Sequence, residues 1–176
     1  MNLTKLVNST RHVETKRQPW LLSMLFDNQI SMWEYILRTG LISLLPSLFI
    51  AMILGVSGII TEETGPEFKG SSIGLFIWLV IIGPPLETLV MGGGLWILSF
   101  ITKRPVRLAI ISAFIWATVH SLIAPAWGLG VIWPFFVFSC SYLGWRRRSW
   151  WRAILVTSCV HAFQNTLPTI VLIVTL

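Results

Sequence analysis

The sequence predicts an all-α fold: a polytopic bundle of about five transmembrane helices, preceded by an amphipathic N-terminal segment. Hydrophobic residues make up 55% of the 176-residue chain and charged residues only 11%, whereas soluble domains carry about 25% charged residues. So few charges cannot cover a water-facing surface, which places the chain in a membrane. The 10 Trp agree with this class, because Trp favours the headgroup zone of a bilayer.

The first part of the chain mixes charged with apolar and aromatic residues. Residues 1–35 predict a cytoplasmic or interfacial segment, in which QPWLLSMLF and ISMWEYIL favour an amphipathic helix lying on the membrane surface. A transmembrane domain is predicted to cover the remaining residues, 36–176. Its first span runs from about 36 to 60, with Pro46 as a kink.

An acidic, turn-rich loop separates the first predicted span from the second. This loop, TEETGPEFKG, occupies 61–70. The second span is predicted from about 71 to 101, with interruptions at the GPP of 83–85 and the GGG of 92–94.

The third long apolar region predicts two spans. Residues 108–145 carry no formal charge over 38 positions, and a single helix of that length would be about 57 Å long. Since the hydrocarbon core is about 30 Å thick, this region must cross twice, with a turn in the APAWGLG of 124–130. Basic loops flank it at 102–107 and 145–152, and the uncharged run 153–176 forms the last span.

The distribution of basic residues predicts the orientation in the membrane. With the N-terminus in the cytoplasm, 12 of the 13 Lys and Arg residues fall on the inner side and only Lys69 on the outer side. Cytoplasmic loops carry such an excess, so the chain is predicted to lie in a bacterial cytoplasmic membrane, with its C-terminus outside. The net charge of +6 is thus mostly topology, and nucleic acid is not an expected partner.

Five polar side chains fall deep within the predicted spans, and four of them form the candidate site: Glu87, His120, His161 and Asn165. Counted from the nearest basic anchors, the carboxylate and the two imidazoles lie 16, 13 and 9–13 residues into their spans, hence at similar depth. His161 and Asn165 are one helical turn apart and share a face. An unpaired carboxylate in an apolar interior is expensive, so these groups are predicted to share a polar site.

Each polar residue also has a structural interpretation. A single histidine in a span can simply hydrogen-bond a carbonyl of a neighbouring helix. Gln164 points about 100° away from His161 and is predicted to be a hydrogen-bonding packing residue. Trp116, one turn before His120, is predicted to pack or to form a cavity wall.

Together the four groups suit hydrolysis. A carboxylate at Glu87 can take a proton from water as a general base. One imidazole can orient that water, and the other, with the Asn165 amide, can donate to the oxyanion. The alternative is a divalent metal held by Glu87, His120 and His161, because two His and one Glu form a known zinc set. The residues alone do not choose between the two, and the glutamate version requires no cofactor.

Three segments resemble the motifs of the CAAX protease and bacteriocin-processing (CPBP, or Abi) family of intramembrane proteases. The segments are PPLETLVMGGG, WATVH and HAFQN. They correspond, in this order, to the family motifs Glu-Glu-x-x-x-Arg, Phe-x-x-x-His and His-x-x-x-Asn/Asp. The last matches fully, and Trp116 replaces the aromatic residue of the second. In the first, Glu87 keeps the first glutamate, whereas Thr88 and Gly92 hold the places of the second glutamate and the arginine.

The resemblance implies an intramembrane endopeptidase that cleaves a membrane-anchored protein or peptide with a glutamate-activated water. It implies Glu87 as base, His120 and His161 as groups that hold water or stabilise charge, and Asn165 at the oxyanion site. The departures at Thr88 and Gly92 favour an alternative, a non-catalytic membrane scaffold or bacteriocin-immunity-type protein on a degenerate protease fold. A proton-coupled carrier is a third hypothesis, which the lack of an evident repeat disfavours.

Overall fold

The computed structural model describes residues 19–61 and 63–175. Within these ranges the chain is helical and forms no strand, and its helices in chain order are α1 (Trp20–Leu25), α2 (Met32–Val56), α3 (Ser72–Leu98), α4 (Pro105–Ser121), α5 (Trp127–Arg146) and α6 (Trp150–Thr175). Four of them, α2, α3, α5 and α6, are long and apolar enough to cross a membrane. The fifth helix of the bundle, α4, has 17 residues, or about 26 Å. The predicted all-α membrane bundle is confirmed.

The start of the bundle differs from the prediction. α2 begins at Met32, because the Ser31 hydroxyl caps it by accepting a hydrogen bond from the Glu34 N–H at 3.2 Å. ISMWEYIL therefore supplies the cap and first turns of α2 rather than part of a separate surface helix. QPWLLSMLF forms the short helix α1, and the rest of the predicted N-terminal segment, 1–18, lies outside the described residues.

The helices alternate in direction, so the connecting loops fall at two opposite ends of the bundle. At one end, Asn28 Nδ2 donates to Gly144 O at 2.9 Å, and Arg148 donates to the Gln29 side chain at 3.2 Å. At the other end, the Ala126 N–H donates to Thr64 O at 2.9 Å. The basic loops thus share the first end, which we call the basic end, and the loop residues 57–61 and 63–71 lie at the opposite end.

The core lies where α2, α5 and α6 meet. Tyr35 and Trp145 are fully buried there, with ring centroids 5.4 Å apart in an edge-to-face arrangement. Phe138 of α5 and Val160 of α6 fill the next layer toward the opposite end. The outer faces of α2 and α3 instead expose large aliphatic and aromatic side chains, as expected for helices that contact lipid.

α3 runs unbroken through both predicted interruptions. A π-helical stretch at Ile77–Ile82 replaces the break expected at GPP, and the glycines of GGG continue the helix. The Gly83 N–H donates to Trp78 O, five residues back. A Cβ at residue 83 would lie 2.8 Å from that oxygen, so the π stretch depends on glycine here.

A proline in α2 frees a carbonyl that a neighbouring helix satisfies. Pro46 has no N–H, which leaves Ile42 O without its regular donor. The Trp133 indole N–H of α5 donates to this oxygen at 2.9 Å. An unpaired carbonyl is costly in an apolar medium, so this bond fastens α2 to α5.

We expect Trp133→Phe to lower the free energy of unfolding by about 1 kcal/mol, because it keeps the ring but removes the donor. Thermal unfolding of the purified protein in detergent measures the change. Pro46→Ala restores a backbone donor for Ile42 O, so the same substitution should cost less in that background. An equal loss in both backgrounds would show that Trp133 does not stabilise the protein through its hydrogen bond to Ile42 O.

Candidate active site

A cavity of about 700 Å³ opens within the bundle and contains all four predicted site residues. Its walls come from α2, α3, α5, α6, the end of α4 and the loop at the end opposite the basic end. Most lining side chains are apolar. The ionisable groups among the described lining residues are Glu87, His120 and His161, and the polar amides are Gln164 and Asn165.

Glu87 and His161 both line this cavity and face each other. Glu87 Oε2 lies 3.9 Å from His161 Nε2, which is beyond a direct hydrogen bond but close enough for one water molecule to contact both atoms. The His161 side chain is buried, whereas the Glu87 side chain is 35% exposed. The carboxylate therefore remains accessible from the cavity.

His120 is oriented by its own helix. Its Nδ1 lies 2.8 Å from Trp116 O. A carbonyl only accepts hydrogen bonds, so Nδ1 carries the hydrogen and Nε2 of the neutral ring is an acceptor. Trp116 itself stacks on Phe135 with centroids 4.7 Å apart, which agrees with the predicted packing role.

Three aromatic residues of α5 hold the imidazoles in place. Trp127 contacts His120 edge-on at 4.6 Å between ring centroids, and Phe138 stacks on His161 at 4.3 Å. Phe135 packs against both rings, at 5.1 and 5.8 Å. Sequence reasoning missed these residues, although their spacing along α5 places them on one helix face.

The two amides of α6 have different surroundings. Asn165 Nδ2 donates to Leu79 O of α3 at 2.9 Å, so one of its two N–H groups is already engaged. Gln164 is buried on the cavity wall, and its Oε1 has no hydrogen-bond partner among the described residues. The prediction that Gln164 is a hydrogen-bonding packing residue is not confirmed by these contacts.

The two positions at which the sequence departs from the CPBP motif that it resembles lie in packed surroundings. Thr88 is 2% exposed and its hydroxyl has no partner within the described ranges. A Cβ at Gly92 would lie 2.7 Å from the Tyr142 ring. The Tyr142 ring thus occupies the place where a side chain at residue 92 would begin.

We expect Gly92→Ala to destabilise the protein by about 1–3 kcal/mol, because the added methyl overpacks against Tyr142. Gly93 is the matched control, since nothing lies within 4 Å of a Cβ placed there. Gly93→Ala should stabilise by about 0.5–1 kcal/mol through helix propensity. Chemical unfolding in mixed micelles compares the two. A destabilisation of equal size at both positions would contradict the contact.

The described residues contain no group of three or more His, Cys, Asp or Glu side chains placed to hold a metal ion. The metal alternative for Glu87, His120 and His161 stays a prediction.

The fold and the site define the class as an integral helical membrane protein with a carboxylate–imidazole pair in an intramembrane cavity. Comparisons with protein-family models, curated proteins and solved structures find no match to the chain.

Proposed function

We propose that the protein is an intramembrane endopeptidase of the CPBP type, which hydrolyses a peptide bond of a membrane-associated protein or peptide. The observation that carries the proposal is the Glu87 carboxylate, 3.9 Å from the His161 imidazole in a largely apolar cavity that also holds His120. A carboxylate kept in apolar surroundings, with an accessible face and an imidazole neighbour, is typical of a general base.

The proposed reaction starts with a water molecule between Glu87 Oε2 and His161 Nε2. Glu87 takes a proton from the water, and the water oxygen attacks the carbonyl carbon of the scissile bond. The tetrahedral intermediate collapses by breaking the C–N bond, and the proton passes from Glu87 to the departing amine. His120 offers Nε2 as an acceptor that orients the water, and the second N–H of Asn165 is available to the oxyanion.

The cavity favours an apolar substrate segment. Between Glu87 and the end opposite the basic end, its walls carry side chains such as Leu48, Phe68, Trp127 and Leu172. Burial of apolar surface there would bind a membrane-anchored segment beside the carboxylate. No cofactor is required by this mechanism. With the basic end in the cytoplasm, the site opens toward the outside of a bacterial cytoplasmic membrane. The partners of the protein are then the membrane-anchored substrate and the lipid bilayer.

The test is cleavage of membrane-anchored peptides by the purified protein in lipid, followed by mass spectrometry. Cleavage by the wild type and none by Glu87→Gln is expected. Equal cleavage by both proteins would refute the proposal.

A second candidate is a non-catalytic scaffold or immunity-type protein on a degenerate protease fold. It is favoured by the packing of Tyr142 against Gly92, which leaves no room for the arginine of the family motif. The double variant Glu87→Gln, His161→Ala separates the two candidates. Full biological function of that variant in cells would select the scaffold.

A further inference from the structure

The π-helical stretch of α3 and the proline that follows Gly83 leave the Leu79 carbonyl without a donor from its own helix. The Gly83 N–H, which a regular α-helix would direct at Leu79 O, donates to Trp78 O. In the π register the next donor for Leu79 O would be residue 84, which is proline and has no N–H. Since an unpaired carbonyl is costly inside a membrane protein, Leu79 O requires a donor from elsewhere.

Asn165 of α6 supplies this donor. Its Nδ2 lies 2.9 Å from Leu79 O. One turn earlier on the same helix, His161 faces Glu87 at 3.9 Å. α6 therefore contacts α3 at two heights, once through the π stretch and once through the carboxylate.

The π stretch determines the direction in which Glu87 points. A π-helical insertion adds one residue to the helical turn, and an α-helix rotates by about 100° per residue. If Ile77–Ile82 relaxed to a regular α-helix, the part of α3 that follows it would turn by about that angle relative to the part that precedes it. The Glu87 side chain would then no longer point toward His161.

We propose that Asn165 is a positioning residue, which fixes the π stretch through Leu79 O and so holds the Glu87 carboxylate opposite His161. This role is distinct from donation to an oxyanion and uses the N–H group that is already engaged. Its catalytic consequence rests on the proposed function. Its structural consequence can be measured without any substrate.

Asn165→Leu tests the inference by removing the donor while keeping a side chain of similar length. We expect the melting temperature to fall by about 4 °C and peptide cleavage to fall by about 100-fold, because the carboxylate is misplaced. Adding Pro84→Ala gives residue 84 an N–H that reaches Leu79 O in the π register. The double variant should recover most of the melting temperature and at least about tenfold in cleavage.

Pro85→Ala is the matched control. It adds the same N–H one residue later, where it faces the Val80 or Ile81 carbonyl. Recovery with Pro84→Ala but not with Pro85→Ala supports the proposal. Equal recovery with both, or with neither, overturns it. Recovery of the melting temperature without any recovery of cleavage also overturns it, since restoring the π stretch would then not restore the position of Glu87.

Two further outcomes remain decisive. If Asn165→Leu does not accumulate as folded protein, accumulation of the Pro84→Ala double variant alone supports the proposal, and failure of both double variants overturns it. If the wild type cleaves no peptide, the proposed function fails. The melting temperatures of the same set of variants then still decide whether Asn165 holds the π stretch.

Discussion

Glu87→Gln is expected to reduce peptide cleavage by about 1,000-fold or more. Glutamine keeps the size and polarity of the side chain but cannot take a proton from water. The neighbouring His161 does not replace it, because its side chain is only 5% exposed, against 35% for Glu87, and Phe138 stacks on its ring. Initial rates on a membrane-anchored peptide, with the purified protein in lipid, measure the loss.

Glu34→Gln is the control for this prediction. Glu34 is exposed in the first turn of α2, far from the cavity wall, and glutamine serves equally at that helix position. Cleavage should therefore be unchanged. The two variants should also melt at similar temperatures, so that a selective loss in Glu87→Gln is a loss of chemistry. If Glu87→Gln retained more than about a tenth of the wild-type rate, Glu87 would not be the general base.

Gly128→Ala should produce the largest loss of stability, about 3 kcal/mol, or roughly 8 °C in melting temperature. A Cβ at residue 128 would overlap the Ser121 hydroxyl and the carbonyl oxygen of Ala117. The second contact is with backbone, so the strain is relieved only by moving α4 away from α5. Because His120 packs on Trp127 at this crossing, cleavage should fall as well.

Gly130→Ala provides the comparison within the same helix. Nothing lies within 4 Å of a Cβ at residue 130, so its melting temperature should stay level or rise slightly. Differential scanning fluorimetry in detergent is sufficient for both variants. A Gly128→Ala protein as stable as Gly130→Ala would mean that α4 and α5 are not in close contact at this point.

The helices were predictable because the membrane fixes their length and composition. Long uncharged runs and basic loops predicted the last three helices well, since a run of 38 uncharged residues is too long for one crossing. The start of α2 was missed because Ser31 and Glu34 form a local cap that outweighs the mixed polarity of ISMWEYIL. The interruptions predicted at GPP and GGG did not occur: a π stretch precedes GPP, and the three glycines continue the helix, with Gly92 packed against Tyr142.

The polar residues of the cavity could be read from the sequence, but their contacts could not. Polar groups are rare at depth, so Glu87, His120, His161 and Asn165 were visible in the sequence. The bonds from Trp133 to Ile42 O and from Asn165 to Leu79 O were not, because each depends on which carbonyl a proline or a π stretch leaves free. Helix order and depth do not specify such pairings, which appear only when the neighbouring helix is in place.

The most direct test of a glutamate-dependent hydrolase is the set of peptide termini that it creates. Membranes containing the wild type or Glu87→Gln would be incubated in water enriched in ¹⁸O, and new C-termini would be identified by mass spectrometry. With the wild type, new C-termini of membrane proteins should carry one ¹⁸O atom, and these termini should be missing with Glu87→Gln. The same labelled termini in both samples, or none in either, would contradict the proposed activity.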